Sequence, residues 1–150
     1  MNLTVRVDVS APPETVFAAA TDWERQGEWI LGTTVRIRHG DGRSVGSEVE
    51  AITGLCGIGV TDRMRIVRWN APSRCEVRHL GWVVRGTGIF AVHPHGRDGA
   101  IFEWTEQLEL PLGAVGRWGW PLVRPIFGWG LQRSVDRFAR LFQDYPSETP

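Results

Sequence analysis

Apolar and polar residues alternate through most of this chain and fall at helical spacing only near its two helical ends. Leu3, Val5, Val7 and Val9 share one side of an alternating segment, the pattern of a strand buried on one face. Pro12 and Pro13 then pre-set a first helical turn, and Glu14 sits where the helix dipole favours an acid. Val16, Phe17 and Ala20 recur at helical spacing, which predicts a short helix from Pro13 to about Thr21. Asp22 is placed to cap a second short helix, Trp23 to about Trp29, ending before Gly32. Strand after strand follows. Val35–Arg38 runs into the turn Gly40-Asp41-Gly42, and Val45 to Thr53 returns. The glycine-rich connection Gly54–Gly59 leads into Val60 to Trp69, and Arg74 to Leu80 comes after the turn Asn70–Ser73. Val83 to His93 and Ala100 to Leu110 pair as a hairpin across Pro94–Gly99. Short turns between sequential strands predict an antiparallel sheet.

The segment Gly113 to Gly130 breaks this pattern with five glycines, two prolines and three tryptophans. Beyond it, Leu131, Val135, Phe138 and Phe142 mark one face of a closing helix that ends near Tyr145, with Arg133, Arg137 and Arg140 towards solvent. One helix is therefore left to cover a broad sheet whose apolar face must be buried. A helix is only about 10–12 Å across with its side chains, too narrow to fill the concave side of a twisted sheet. The expected result is a cavity lined by apolar and aromatic groups, the kind of space where small molecules bind.

Composition narrows the functional classes. At 150 residues the chain fits one domain, expected over residues 1–145, with Pro146–Pro150 read as a disordered tail. All 17 basic residues are arginine, 17 acids cancel them, and no run of like charge exceeds two residues. Nucleic acid, which needs clustered basic charge, is thus not an expected partner. Cys56 and Cys75 read as reduced, buried thiols. Asp8 and Arg6 interrupt any signal-like start, and no uncharged apolar run approaches the ~20 residues of a membrane span. These features predict a cytoplasmic globular protein, monomer or homodimer, with no cofactor or metal called for.

Several motifs resemble a known family. Val9-Ser-Ala-Pro-Pro-Glu-Thr-Val-Phe17, then Thr21-Asp22-Trp23 and Glu28-Trp29, look like a strand entering a Val-Phe helix and an Asp…Trp turn. Val45-Gly46-Ser47, and Phe102-x-Trp104-x-Glu106 followed by Pro111-x-Gly113, continue the likeness over about residues 3 to 143. Together with the element order they resemble the START-like helix-grip superfamily, in its polyketide cyclase/dehydrase and lipid-transport branch. The resemblance implies an α+β fold: about seven antiparallel strands curved around a long C-terminal helix, with two short helices after the first strand. It also implies an internal apolar pocket, and it carries over no catalytic residue.

Candidate chemistry comes from strand parity. On the last strand Phe102, Trp104, Glu106 and Leu108 share one face, so the apolar set takes Glu106 inward with it. A buried carboxylate finds a partner or shifts its pKa. By the same parity Val77 and His79 face one way against Glu76 and Arg78, and Met64 and Ile66 share a face with Asp62 against Arg63 and Arg65. The expected ligand wall is Met64, Ile66, Val77, Phe90, Phe102, Trp104, Trp120, Phe127 and Leu131, with Glu106 and His79 as orienting polar groups. Two motifs carry less. Gly42-Arg-Ser44-Val-Gly46 matches G-x-S-x-G but lies between two strands, without the helix a nucleophile elbow needs. His93-x-His95 falls at a strand end beside Pro94 and Gly96, where surface histidines are expected rather than a metal site. Trp118, Trp120 and Trp129 admit three readings: packing, a glycine-hinged aromatic lid, or transient docking to a membrane with Arg117 and Arg124. The expected function is uptake of one small hydrophobic or aromatic molecule, lipid or polyketide-like, by a carrier or sensor. The rivals are a cyclase- or dehydratase-type enzyme in which Glu106 or His79 moves a proton, and a module binding a partner through the Trp118–Trp129 segment.

Overall fold

The computed structural model describes residues 1–55, 58–81, 84–109 and 113–143. Its strands are β1 (Asn2–Val9), β2 (Thr33–His39), β3 (Glu48–Leu55), β4 (Ile58–Asn70), β5 (Arg74–Leu80), β6 (Arg85–His95) and β7 (Gly99–Glu109). Helix α1 (Pro13–Ala20) and a 3₁₀ helix (Trp23–Glu28) follow β1, and α2 (Ala114–Gln143) closes the chain. The seven strands form one antiparallel sheet in the order β1-β7-β6-β5-β4-β3-β2. Only β1 is out of sequence, and its register explains its place. Leu3, Val5 and Val7 lie opposite Glu106, Trp104 and Phe102, so the apolar face of β1 extends the inward face of β7. This is the α+β helix-grip arrangement that the resemblance implies.

Element boundaries differ by a residue or two at several strand ends, and three differences matter more. The regular strand expected from Val45 starts at Glu48; Gly46, at φ 95°, and Ser47 already bond the Ile66 backbone but lie outside its extended run. The second short helix is of the 3₁₀ type and ends at Glu28, with Trp29 as its C-cap. The largest difference is Gly113 to Gly130, which the composition marks as irregular. It forms the first half of a continuous α2 of 30 residues, with Pro121 and Pro125 inside the helix. An interior proline removes a backbone hydrogen bond and costs about 3 kcal/mol. Inward burial of Trp120, Leu131, Val135 and Phe138 along the same helix offsets that cost. The tail 144–150 and Cys56 lie outside the described residues.

The core is organised around Trp29. Its ring lies 5.0 Å from Phe138 of α2, 5.8 Å from Phe102, 5.9 Å from Trp104 and 6.0 Å from Phe90. One side chain at the end of the 3₁₀ helix thereby joins the sheet to the terminal helix. Truncating such an aromatic to alanine costs about 3–5 kcal/mol. Further ties are polar: Ser134 Oγ accepts from the Leu31 amide at 3.2 Å, and the Gln132 amide donates to the Arg6 carbonyl at 3.0 Å. They hold α2 against β1 and the segment that follows the 3₁₀ helix.

Candidate ligand cavity and its buried charge cluster

Between the inward sheet face and α2 lies a cavity of about 660 Å³. Met64, Val77, Phe90 and Trp104 line it from the sheet, and Phe127 and Leu131 from the helix. It reaches the surface where the exposed residues Ile126, Trp129, Arg85 and Glu109 contribute to its lining. Three of the residues expected on the wall are elsewhere. Ile66 and Phe102 face inward but are fully buried in the core, Phe102 with its ring 4.9 Å from that of Phe138, and Trp120 is buried beside Phe127 at a ring distance of 6.3 Å.

The cavity wall carries a buried charge cluster with His79 at its centre. Its Nδ1 lies 2.8 Å from Asp62 Oδ2 and 3.0 Å from Oδ1, and its Nε2 lies 2.9 Å from Glu106 Oε2. Trp104 Nε1 donates to the other Glu106 oxygen at 2.8 Å. The side chains of His79, Glu106 and Asp62 are only 4%, 9% and 17% exposed. Sheet geometry explains how they meet. Met64 stands opposite His79 across β4 and β5, which puts Asp62, on the same face of β4, on the diagonal to His79. Glu106 is farther away, since β6 lies between β5 and β7 and strand spacing sets those two about 9–10 Å apart. The inward positions of β6 at this level are glycines. Gly86 pairs with His79, and Gly88 pairs with Val77 on one side and Glu106 on the other. A Cβ on Gly88 would stand 3.2 Å from Glu106 Oε1 and 3.1 Å from Val77 Cγ2. The missing side chains open the passage through which the imidazole and the carboxylate join.

Opposed effects set the charge of His79. Burial penalises the imidazolium and is the largest single influence. Hydrogen bonds to Asp62 and Glu106 and the charges of both carboxylates outweigh it, and the pKa rises to about 10. His79 is therefore a cation at neutral pH, with one N–H directed at each carboxylate. Such a group does not serve as a base, because both nitrogens hold protons. The accepting atoms of the cluster belong to Asp62 and Glu106.

The other sequence candidates lead away from chemistry. Asp41 Oδ1 accepts from the Arg43 amide and the Ser44 hydroxyl, each at 2.8 Å, so the G-x-S-x-G match is a hydrogen-bonded turn between β2 and β3. The Arg43 amide and then the Ser44 hydroxyl hold the Asp41 carboxyl below its ordinary pKa. His93 and His95 are exposed at the end of β6. Cys75 is a buried thiol on the cavity wall, pushed up to about 12 by burial and the neighbouring Glu76 charge. Trp118 and Trp129 are exposed along α2, and the glycines among them sit inside a continuous helix rather than at a hinge. Parity placed Asp62 on the inward face but gave it no role, and Gly88 carried no expectation. Alternating glycines at inward positions of a strand are the signal that points to Gly88.

Comparison with known proteins agrees with this architecture. Residues 1–143 match the family described as polyketide cyclase / dehydrase and lipid transport. The chain belongs to that family. No curated protein matches it in sequence. Among solved structures, a Thermus thermophilus protein superposes with a TM-score of 0.80 at 16% identity, covering 95% of this chain and 97% of that one. A START superfamily protein from Mycobacterium smegmatis gives 0.73 at 16% identity, with 95% and 97% covered. Norcoclaurine synthase from Thalictrum, solved as a point mutant with a transition-state analogue, gives 0.69 at 13% identity, with 96% and 94% covered. At such identities these likenesses establish the shared fold. The polyketide cyclase/dehydrase and lipid-transport family is a hydrophobic-ligand family, and this member has an apolar chamber between its sheet and its terminal helix. Among the described residues no helix is long and apolar enough to cross a membrane.

Proposed function

We propose that the protein takes up one small apolar or aromatic molecule, lipid or polyketide-like, in the internal cavity and holds it as a carrier or sensor. The cavity of about 660 Å³ supports this reading, being within the size range of small-molecule sites and lined mostly by apolar side chains. Desolvation supplies affinity at about 25 cal/mol per Å² of apolar area buried. The deciding experiment is mass spectrometry of the native protein, followed by denaturation to release what co-purifies. A stoichiometric small molecule is expected. A protein that emerges empty and also fails to take up an apolar fluorophore overturns the reading.

The Asp62–His79–Glu106 cluster favours a second reading, an enzyme of the cyclase or dehydratase type with a carboxylate as the proton carrier. Glu106→Gln separates the two: turnover is abolished if Glu106 carries the proton, whereas a carrier loses only affinity. Loading from a membrane is part of the proposal. Trp118, Leu122, Ile126 and Trp129 are 84%, 78%, 72% and 62% exposed at helical spacing, and Arg117, Arg124 and Arg133 accompany them with no acid before Asp136. An anionic lipid surface complements that stripe. Co-sedimentation with phosphatidylserine vesicles, lost in Trp118→Ser/Ile126→Ser, is the expected result.

A further inference from the structure

We infer that the cavity selects a cationic amine: a molecule with a protonated nitrogen carried on an apolar or aromatic body and seated against Asp62 and Glu106. This rests on the cavity being the binding site, and the buried cluster decides what the site takes. Charge counting comes first. Asp62 and Glu106 are two carboxylates, and His79 supplies one positive charge when fully protonated, so the cluster keeps a net negative charge. The neighbouring arginines leave that charge in place. Arg63 and Arg65 point to the outer sheet face, where they pair with Glu50 at 3.9 Å and Glu48 at 2.9 Å. Arg85, at the mouth, is paired with Glu109 at 3.5 Å.

Hydrogen bonding points the same way. Both N–H groups of His79 and the indole N–H of Trp104 are directed at the carboxylates, so the cluster offers a ligand no donor. It does offer acceptors, since an ionised carboxylate has about four lone-pair sites and these two are only partly occupied. A ligand hydroxyl fills an acceptor site but leaves the net charge. An acid head adds a second like charge in a poorly solvated place. A protonated amine fills the acceptor and cancels the charge together. The aromatic rings of Trp23, Phe90 and Trp104 on the same wall add a face to which cations are attracted.

The test uses the full chain and matched probes. N-phenyl-1-naphthylamine, a neutral fluorophore at pH 7, reports cavity occupancy, and decylamine, decanol and decanoate compete for it with the same alkyl body. Decylamine is expected to displace it at concentrations about tenfold or more below decanol, with decanoate weakest. Asp62→Asn or Glu106→Gln should shrink the amine's advantage over the alcohol, while Glu50→Gln on the outer face should leave it intact. Decanol equal to decylamine, or decanoate tightest, overturns the inference and leaves cavity binding standing. Failure of the fluorophore and of every probe to bind, by fluorescence and by calorimetry, removes the cavity reading and this inference with it. Should the Asn or Gln variant not fold, the wild-type ranking decides alone.

Discussion

On the outer face of the sheet one carboxylate meets three arginines, whereas on the inner face two carboxylates meet one imidazole. Glu50 has Arg36 at 2.8 Å, Arg38 at 3.6 Å and Arg63 at 3.9 Å, with those arginine side chains 41–58% exposed. Its surplus is positive, and water absorbs it. The Asp62–His79–Glu106 cluster has a negative surplus behind side chains at most 17% exposed, and water has little access. Asp62 and Arg63 are consecutive residues, so one step along β4 separates a solvated imbalance from a buried one. A charge imbalance thus has different meanings on the two faces: outside it is solubility, inside it is a demand for a partner.

The contrast breaks most readily at His79. His79→Leu leaves two buried carboxylates facing a side chain that cannot pair them, and a loss of about 3–5 kcal/mol is expected from denaturant unfolding. A loss near zero would show that the cluster is relieved some other way. Alkaline pH sharpens the comparison next. The pKa of His79 is raised from 6.5 to about 10, so its stabilisation is complete below the unfolded value and is lost as pH rises towards 10. Wild-type stability should fall between pH 7 and 9, and His79→Leu should be flat there. Above pH 9 Cys75 adds to the loss, because its thiol ionises in the unfolded chain first. The outer cluster behaves oppositely. The hydrogen bond from Arg36, followed by the opposing effect of desolvation and then the charges of Arg38 and Arg36, holds Glu50 below its ordinary pKa. Its contribution is present above about 4.5 and is lost only as pH falls through the lowered value. Gly88→Ala comes next in size. Its methyl crowds Glu106 and Val77, and overpacking of this kind costs about 1–3 kcal/mol, with the His79 imidazole resonance in NMR spectra displaced as well. The smallest effect is expected from Arg36→Ala, which removes one of three arginines around Glu50 on a solvated face and should cost under about 1 kcal/mol in thermal unfolding. If it melts as early as His79→Leu, the two faces do not differ as argued.

Period-two reading of β7 and β5 makes Trp104, Glu106 and His79 inward residues from the sequence alone, because a strand's side chains must alternate. It also puts Asp62 on the same side as Met64. What it lacks is register. Whether Asp62 lies diagonal to His79 or several residues away depends on pairing between distant segments, and a one-residue slip would reverse the faces. Burial behind other side chains is equally out of reach: Phe102 and Trp104 share parity and both meet Trp29, yet of the two only Trp104 also lines the cavity. The first half of α2 is hidden for a different reason. Glycine and proline report local preference, and Trp120, Phe127 and Leu131 override it through contacts that exist only once the sheet is formed.

The indole of Trp104 touches both parts of the site, one face on the cavity and its N–H on Glu106. That position makes it a spectroscopic probe built into the protein. A cation arriving at Glu106 competes for the same carboxylate and changes the field around the ring, so emission from Trp104 should shift with occupancy while emission from exposed Trp118 stays put. With eight tryptophans in the chain, the Trp104 component is read as the difference between wild type and Trp104→Phe, and loading is then followed without a label on the protein or on its cargo.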